Sequence, residues 1–129
     1  MIADRLTFTG PLPHDEVRAA YAASDLLVLP SRGESYAMVV TEALAHGLPV
    51  VATAVGGVPE ALGHADDGST PGVLVRPGDA RALADALRRW LADPRRRQRL
   101  RRSAGQRRLT LTSWSLTAAE VAAALEATT

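Results

Sequence analysis

The chain has 129 residues, 47% of them hydrophobic and 22% charged, which predicts one globular domain with a buried core. It contains no cysteine, so disulfides and thiolate metal sites are excluded, and no lysine, so the usual Schiff-base nucleophile is excluded as well. No apolar run reaches the roughly 20 residues of a membrane helix, and the first ten residues lack a signal-peptide pattern. A cytoplasmic location is therefore the default expectation.

The net charge of +1 conceals an uneven distribution, because residues 88–108 contain ten of the fifteen arginines and one acid, Asp93. Such a segment could bind nucleic acid or an anionic membrane surface. It lacks interleaved aromatic residues, and its apolar stripe of Leu100 and Leu109 is thin. The pattern is more typical of a solvated helix face, so nucleic acid is not expected as a partner, and contact with an anionic membrane surface remains an alternative.

Strands and helices alternate along the chain. Because the strands are unbroken apolar runs, we predict an α/β fold, a Rossmann-like parallel sheet with helices on both faces. The predicted strands are one around Leu6 and Phe8, then Leu26–Leu29, Val50–Ala52 and Val73–Val75. Between and after them we predict helices at His14–Ala23, Tyr36–His46 and Ala80–Ala92, the last capped by Asp79, and a helical turn at Pro59–Leu62. An arginine-rich helix is predicted from Pro94 to about Leu109, followed by a break at Thr112–Trp114 and a last helix at Ser115–Ala127.

The segment Pro30–Ala52 connects two of these strands through a loop and a helix, and it contains Glu34 and Glu42 with seven residues between them. Parallel sheets bind ligands beyond the carboxyl ends of their strands, and the first amides of a helix are free to hold an anion such as phosphate. Carboxylates beside a phosphate make sense if the ligand also offers hydroxyl groups, which predicts a sugar, a pyrophosphate and a ribose. The amides expected to hold the anion are those of Tyr36, Ala37, Met38 and Val39.

Seven motifs follow one another in a specific order. They are Phe8–Leu12, Ala23–Ser31, Glu34–Ala43, Gly47–Ala52, Gly56–Glu60, Gly72–Val75 and Pro77–Asp79. Together they resemble the donor-binding half of retaining nucleotide-sugar glycosyltransferases with the GT-B fold, of the glycosyltransferase family 4 type. The resemblance implies a partial C-terminal domain of a GT-B fold, with an N-terminally truncated donor domain at residues 1–111. Residues 112–129 would be a helix that packs back towards a missing acceptor domain.

The resemblance also implies roles for individual residues. Glu34 would be the catalytic residue in contact with the transferred sugar, Glu42 would hold the ribose hydroxyls, and the backbone around Leu12 would meet the nucleobase. The nucleotide sugar is a co-substrate, and no metal or other cofactor is expected. The implied donor-binding set is Gly10, Leu12, Ser35, Tyr36, Ala37, Met38, Val39 and Glu42, and the loop Gly56, Gly57 and Glu60 is expected to face the same crevice.

The expected function is therefore nucleotide-sugar binding for retaining glycosyl transfer, to a sugar, lipid or small-molecule acceptor held by the missing domain. The isolated chain is expected to be inactive, because one wall of a cleft cannot hold both reactants. The alternatives are a non-catalytic nucleotide-binding module or truncated relic and, from another class, a basic protein that binds nucleic acid or an anionic surface through Arg88–Arg108. A membrane-peripheral location accompanies the last alternative.

Overall fold

The computed structural model describes the backbone of residues 2–33 and 37–127, and the side chains of these residues except 2, 3 and 112–120. A three-stranded parallel sheet has the order β1 (Leu27–Leu29), β2 (Val50–Thr53) and β3 (Gly72–Val75). A short 3₁₀ helix, Ile2–Arg5, comes first. The α-helices are α1 (His14–Ala23), α2 (Met38–Ala45), α3 (Val58–Leu62), α4 (Ala80–Ala92) and α5 (Pro94–Ala127). The predicted α/β class is confirmed.

The central strand β2 lies between two helical layers and is buried at all four of its positions. Val50 and Ala52 pack in one apolar cluster with α2, α3 and the start of α5. On the other face, α4 covers β2 and β3. Burial on both faces explains why β2 is an unbroken apolar run. The middle of β1 is covered less completely, because Val28 is 38% exposed.

The strand predicted around Leu6 and Phe8 is not formed. Residues 6–10 have no regular secondary structure, and the Phe8 side chain is 94% exposed. β1 is at the edge of the sheet, and no segment among the described residues pairs with its outer side. A strand is stabilised by its neighbours in the sheet, so alternating apolar residues without such a neighbour do not form one.

The predicted break at Thr112–Trp114 is also wrong, because α5 is continuous from Pro94 to Ala127. Threonine, serine and tryptophan each reduce helix stability by at most about 0.7 kcal/mol relative to alanine, and neither proline nor glycine interrupts this stretch. The boundary proposed at residues 111 and 112 therefore falls inside one helix. The expectation that the last residues pack on an acceptor domain stays a prediction, and the side chains of residues 121–127 are exposed.

Side-chain hydrogen bonds to the backbone fix the start of α4 and the end of α3. The Asp79 carboxylate accepts a hydrogen bond from the Ala82 amide at 2.9 Å, which confirms the predicted cap of α4. The Arg107 guanidinium donates to the carbonyl oxygens of Ala61 and Leu62, both at 3.2 Å. The positive charge of Arg107 is attracted to the negative C-terminal end of α3, so this contact holds α3 against α5.

β3 approaches β2 so closely at Gly72 that no side chain fits. A Cβ atom there would lie 1.9 Å from the carbonyl oxygen of Val50. We expect Gly72→Ala to lower the free energy of unfolding by roughly 3 kcal/mol or more, because the two strands must move apart. Urea denaturation measures the change. The matched control is Gly105→Ala in α5, where a Cβ meets nothing within 4 Å and the helix gains about 1 kcal/mol. Equal stability of the two variants would contradict the packing at Gly72.

Candidate functional site

The carboxyl ends of β1 and β2 are tied together by Thr53, the last residue of β2. Its hydroxyl donates to the carbonyl oxygen of Ser31, two residues beyond β1, and makes a longer contact of 3.5 Å with the carbonyl oxygen of Leu29. Thr53 is buried, so this bond is shielded from water. It fixes the start of the loop that leads into α2. Sequence analysis missed this residue, although a threonine that ends a buried apolar strand is a recognisable signal.

The helix α2 begins two residues later than predicted. Ala37 precedes it with φ 51° and ψ 43°, and a left-handed residue cannot be part of a right-handed helix. The Val40 amide donates to the Ala37 carbonyl oxygen at 3.0 Å. Within residues 2–33 and 37–127, no acceptor is found for the amides of Met38 and Val39. These two donors lie at an exposed helix N-terminus, where the helix dipole favours an anion.

Glu42 is held by two aromatic residues, which we call the Tyr21–Glu42–His46 cluster. The Tyr21 hydroxyl donates to Oε2 of Glu42 at 3.1 Å. The Tyr21 ring stacks on the His46 ring, with the ring centroids 5.1 Å apart and the planes inclined by 24°. Nδ1 of His46 lies 2.9 Å from the Glu42 carbonyl oxygen and donates to it as an N–H. The hydrogen bond from Tyr21 orients the carboxylate. Because the Glu42 side chain is exposed, it is still open to a ligand.

Tyr21 keeps its proton in this arrangement. Partial burial raises the pKa of Tyr21, and the hydrogen bond to Glu42 and the negative charge of that carboxylate raise it further. The hydroxyl is therefore a donor throughout the neutral range. Nothing in the sequence indicates that Tyr21 contacts a residue 21 positions further along the chain.

The other predicted site residues have different outcomes. Glu34, Ser35 and Tyr36 lie outside the described residues. Gly56 and Gly57 lie in the short connection between β2 and α3, and Glu60 lies in α3, so the predicted loop starts at the same carboxyl edge of the sheet as Ser31. No hydrogen bond among the described residues links Gly10 or Leu12 to α2. Within the same ranges, no group of three or more histidine, aspartate or glutamate side chains is placed to hold a metal.

An open three-stranded parallel sheet with helices on both faces defines a Rossmann-like α/β domain, the kind of fold that binds ligands beyond the carboxyl ends of its strands. The family model of glycosyl transferases group 1 matches residues 1–107, and the chain belongs to this family. It is 38% identical, over 93% of its length, to a D-inositol 3-phosphate glycosyltransferase of Corynebacterium glutamicum, of which it covers 28%. The relatives that it resembles include this glycosyltransferase and the sulfoquinovosyl transferase SQD2 of Arabidopsis thaliana.

Solved structures show the same fold. A sucrose-phosphate synthase from Thermosynechococcus elongatus superposes with a TM-score of 0.75 and 34% identity, over 99% of this chain and 32% of that one. Anabaena HepE, solved in complex with UDP, superposes with a TM-score of 0.64 and 26% identity, over 81% of this chain and 29% of that one. The chain is therefore part of a GT-B fold, as predicted. It spans less than a third of the length of the curated relatives that it matches.

The raised pKa of Tyr21 predicts an alkaline signature in stability. The neutral hydroxyl stabilises the folded state fully below the ordinary tyrosine pKa of about 10, and this stabilisation is lost as the pH rises through the higher pKa of the folded protein. The chain has no lysine or cysteine and two tyrosines, so few other groups titrate there. Urea unfolding between about pH 8 and pH 11 should show a steeper loss of stability in the wild type than in Tyr21→Phe.

The control for this measurement is Tyr36→Phe, which removes the other tyrosine of the chain. We expect this variant to keep the steep decrease in the free energy of unfolding at alkaline pH that Tyr21 causes. Identical pH dependence in Tyr21→Phe and the wild type would contradict the hydrogen bond between Tyr21 and Glu42.

Proposed function

We propose that this chain is the donor-binding part of a glycosyltransferase that takes a nucleotide-diphospho-sugar. The observation on which the proposal depends is that one helix carries an oriented carboxylate, Glu42, and the amides of Met38 and Val39, which have no acceptor within residues 2–33 and 37–127. Membership in the glycosyl transferases group 1 family supports it. The UDP complex of Anabaena HepE, which shares the fold at 26% identity, supports it as well.

The spacing along α2 suits a nucleoside diphosphate. Glu42 is four residues beyond Met38, which is about one helical turn or 6 Å along the axis. The diphosphate would accept hydrogen bonds from the amides of Met38 and Val39, with the dipole of α2 adding a favourable field. The ribose hydroxyls would then lie one turn further along and donate to Glu42. Because Tyr21 uses Oε2, the other carboxylate oxygen is the main acceptor left for the ribose.

We assign the reacting end of the donor to the loop that begins at Ser31. Glu34 follows in this loop and would accept hydrogen bonds from the transferred sugar, and the turn Gly56–Glu60 would line the same crevice. The backbone at Leu12 would meet the nucleobase. Thr53 supports this arrangement indirectly, since its hydroxyl holds the Ser31 carbonyl and with it the first residue of the loop.

The proposed chemistry is retaining transfer. The bond between the anomeric carbon and the diphosphate oxygen breaks, and the leaving diphosphate keeps the electron pair. The α2 amides stabilise the charge that develops there, as preorganised donors do in other group transfers. The acceptor oxygen forms the new bond from the same face and passes its proton to the leaving diphosphate. No metal is assigned a part in this scheme. The acceptor would be a sugar, lipid or small molecule bound by another part of the full-length protein, so this chain alone would bind the donor without turnover.

Calorimetric titration with nucleoside diphosphates tests the proposed donor site. Because the base is not assigned, uridine, adenosine and guanosine diphosphates are titrated in parallel. We expect one of them to bind, and Glu42→Gln to weaken its affinity by roughly 10- to 100-fold through loss of a charge-assisted hydrogen bond. Inorganic pyrophosphate, which has no ribose, should bind Glu42→Gln at least as tightly as the wild type, because the substitution removes a negative charge near the phosphates. Amide resonances of Met38 and Val39 should shift with either ligand.

The matched control for this titration is Glu16→Gln, which neutralises an exposed carboxylate in the first turn of α1. Its affinity should equal that of the wild type. Flat titrations with all three nucleotides at millimolar concentration would refute the donor site. Binding that is unchanged in Glu42→Gln would refute the ribose assignment alone.

A further inference from the structure

The solvent face of α5 presents a row of arginines that the donor site does not use. Arg95, Arg99 and Arg102 are all exposed, and their spacing of four and three residues places them on one side of the helix. We call these three residues the arginine row. They project from a helix whose opposite side is packed on the domain through the buried residues Ser103 and Ala104.

Other arginines of α5 have structural tasks. Arg97 donates to the Trp90 carbonyl oxygen at 3.0 Å and lies over the Trp90 ring, 5.6 Å from its centroid. Arg101 pairs with Asp25 at 3.0 Å, and Arg107 caps α3. For the side chains of the arginine row, the described part of the chain provides no hydrogen bond or ion pair. The row is thus separate from the contacts that hold α5 on the domain.

The charge of the arginine row is not balanced from its own helix. No acid occurs between Asp93 and Glu120 in the sequence, and the Asp93 carboxylate accepts hydrogen bonds from the backbone amides of Arg95 and Arg96 as a helix cap. Like charges four residues apart destabilise a helix slightly. A partner with negative charges in a row would turn this repulsion into attraction.

Exposed leucines lie near both ends of the arginine row. Leu109 is seven residues after Arg102, so it continues the row along the helix, and it is 67% exposed. Leu91, the last residue but one of α4, is also 67% exposed. It lines a depression of about 520 Å³ with Pro94 and Arg97, so it lies beside the first turns of α5 on the flank of the row. From Arg95 to Leu109 the helix rises about 21 Å. The surface is therefore elongated and basic along its length, with one exposed leucine at its far end and one on its flank near the start of α5.

We propose that this surface, the arginine row with Leu91 and Leu109, binds an anionic lipid membrane. Lipid phosphates match the guanidinium groups, and the leucines can enter the boundary between headgroups and acyl chains. Nucleic acid would match the arginines and leave both leucines in water. Single-stranded nucleic acid is also bound by stacking on exposed aromatic rings. The described aromatic side chain on α4 and α5, Trp90, is half-buried and lies under Arg97.

The membrane surface and the donor site are at different edges of the sheet. Arg101 contacts Asp25, which lies two residues before the amino end of β1, so this part of α5 is near the amino edge. The N-terminus of α2 follows the carboxyl end of β1. Membrane contact through the arginine row would leave the donor site open to water. The lipid proposal does not depend on the identity of the donor.

No helix in the described part of the chain is long and apolar enough to cross a membrane.

Vesicle co-sedimentation of the 129-residue chain tests the lipid proposal. The vesicles are phosphatidylcholine alone, or phosphatidylcholine with phosphatidylglycerol as the anionic lipid. We expect binding to the anionic vesicles at about 0.05 M salt and its loss at about 0.5 M salt, because the ions screen the attraction. The variant Arg95→Gln/Arg99→Gln/Arg102→Gln should bind more than tenfold more weakly, since each arginine near an anionic surface contributes on the order of fivefold.

The matched control is Arg18→Gln/Arg76→Gln/Arg81→Gln, which changes the net charge equally at three exposed arginines outside α5. It should bind within about twofold of the wild type. Replacing the arginine row with three lysines keeps the charge and should keep binding. Leu91→Ser/Leu109→Ser should weaken binding severalfold at low salt. Circular dichroism verifies that each variant is folded as the wild type is.

Two results would overturn the lipid proposal. Equal binding of the two arginine-to-glutamine variants would show that net charge alone attracts the chain to the vesicles. Displacement of the chain from the vesicles by duplex or single-stranded DNA, together with no effect of the leucine substitutions, would assign the arginine row to nucleic acid.

Discussion

The close approach of β3 to β2 at Gly72 is the constraint on which the rest of the structure depends. Backbone contact at this point, with a side chain excluded, brings the strands into a register that buries all of β2. With β2 buried, α2 and α3 can pack on one face and α4 on the other. At the far end of β2, the Thr53 hydroxyl holds the backbone that leaves β1. The geometry at the entrance to α2 is thus a consequence of how the central strand is packed.

The proposed donor site combines opposite electrostatic demands on one short helix. Its N-terminus offers the amides of Met38 and Val39, which have no partner among the described residues, in a positive field that suits a diphosphate. Its middle offers the negative charge of Glu42, which repels a diphosphate. The Tyr21–Glu42–His46 cluster resolves this conflict by orientation. A carboxylate held in place one turn from the amides can accept hydroxyl groups without lying against the phosphates. A ligand that carries both phosphates and hydroxyl groups would therefore bind more tightly than a ligand that carries only one of them.

Six arginines of α5 fall into two groups, one held by contacts with the domain and one exposed to solvent. Arg97, Arg101 and Arg107 bind carbonyl oxygens, an aromatic face or a carboxylate, and they connect α5 to the domain. The arginine row has no such contacts among the described residues, and its charge is available to a partner. A basic segment read as one solvated face is therefore better understood as two surfaces, one structural and one exposed. Charge counts in the sequence cannot separate them, because the separation depends on which side of the helix meets the domain.

The sequence by itself determined the α/β class, the order of most elements, the Asp79 cap and the family, because apolar runs, caps and turn residues are local signals. It failed where stability comes from neighbours: the strand around Phe8 lacks a partner, and the break at Thr112–Trp114 was inferred from weak propensities that a continuous helix tolerates. It could place Glu42 on α2 but could not find Tyr21, whose hydroxyl reaches that carboxylate from another helix. The left-handed backbone at Ala37 decides where α2 starts. The hydroxyl of Thr53 on β2 holds the start of the loop that leads towards α2. Such contacts join residues far apart in the chain, so only the tertiary structure decides them.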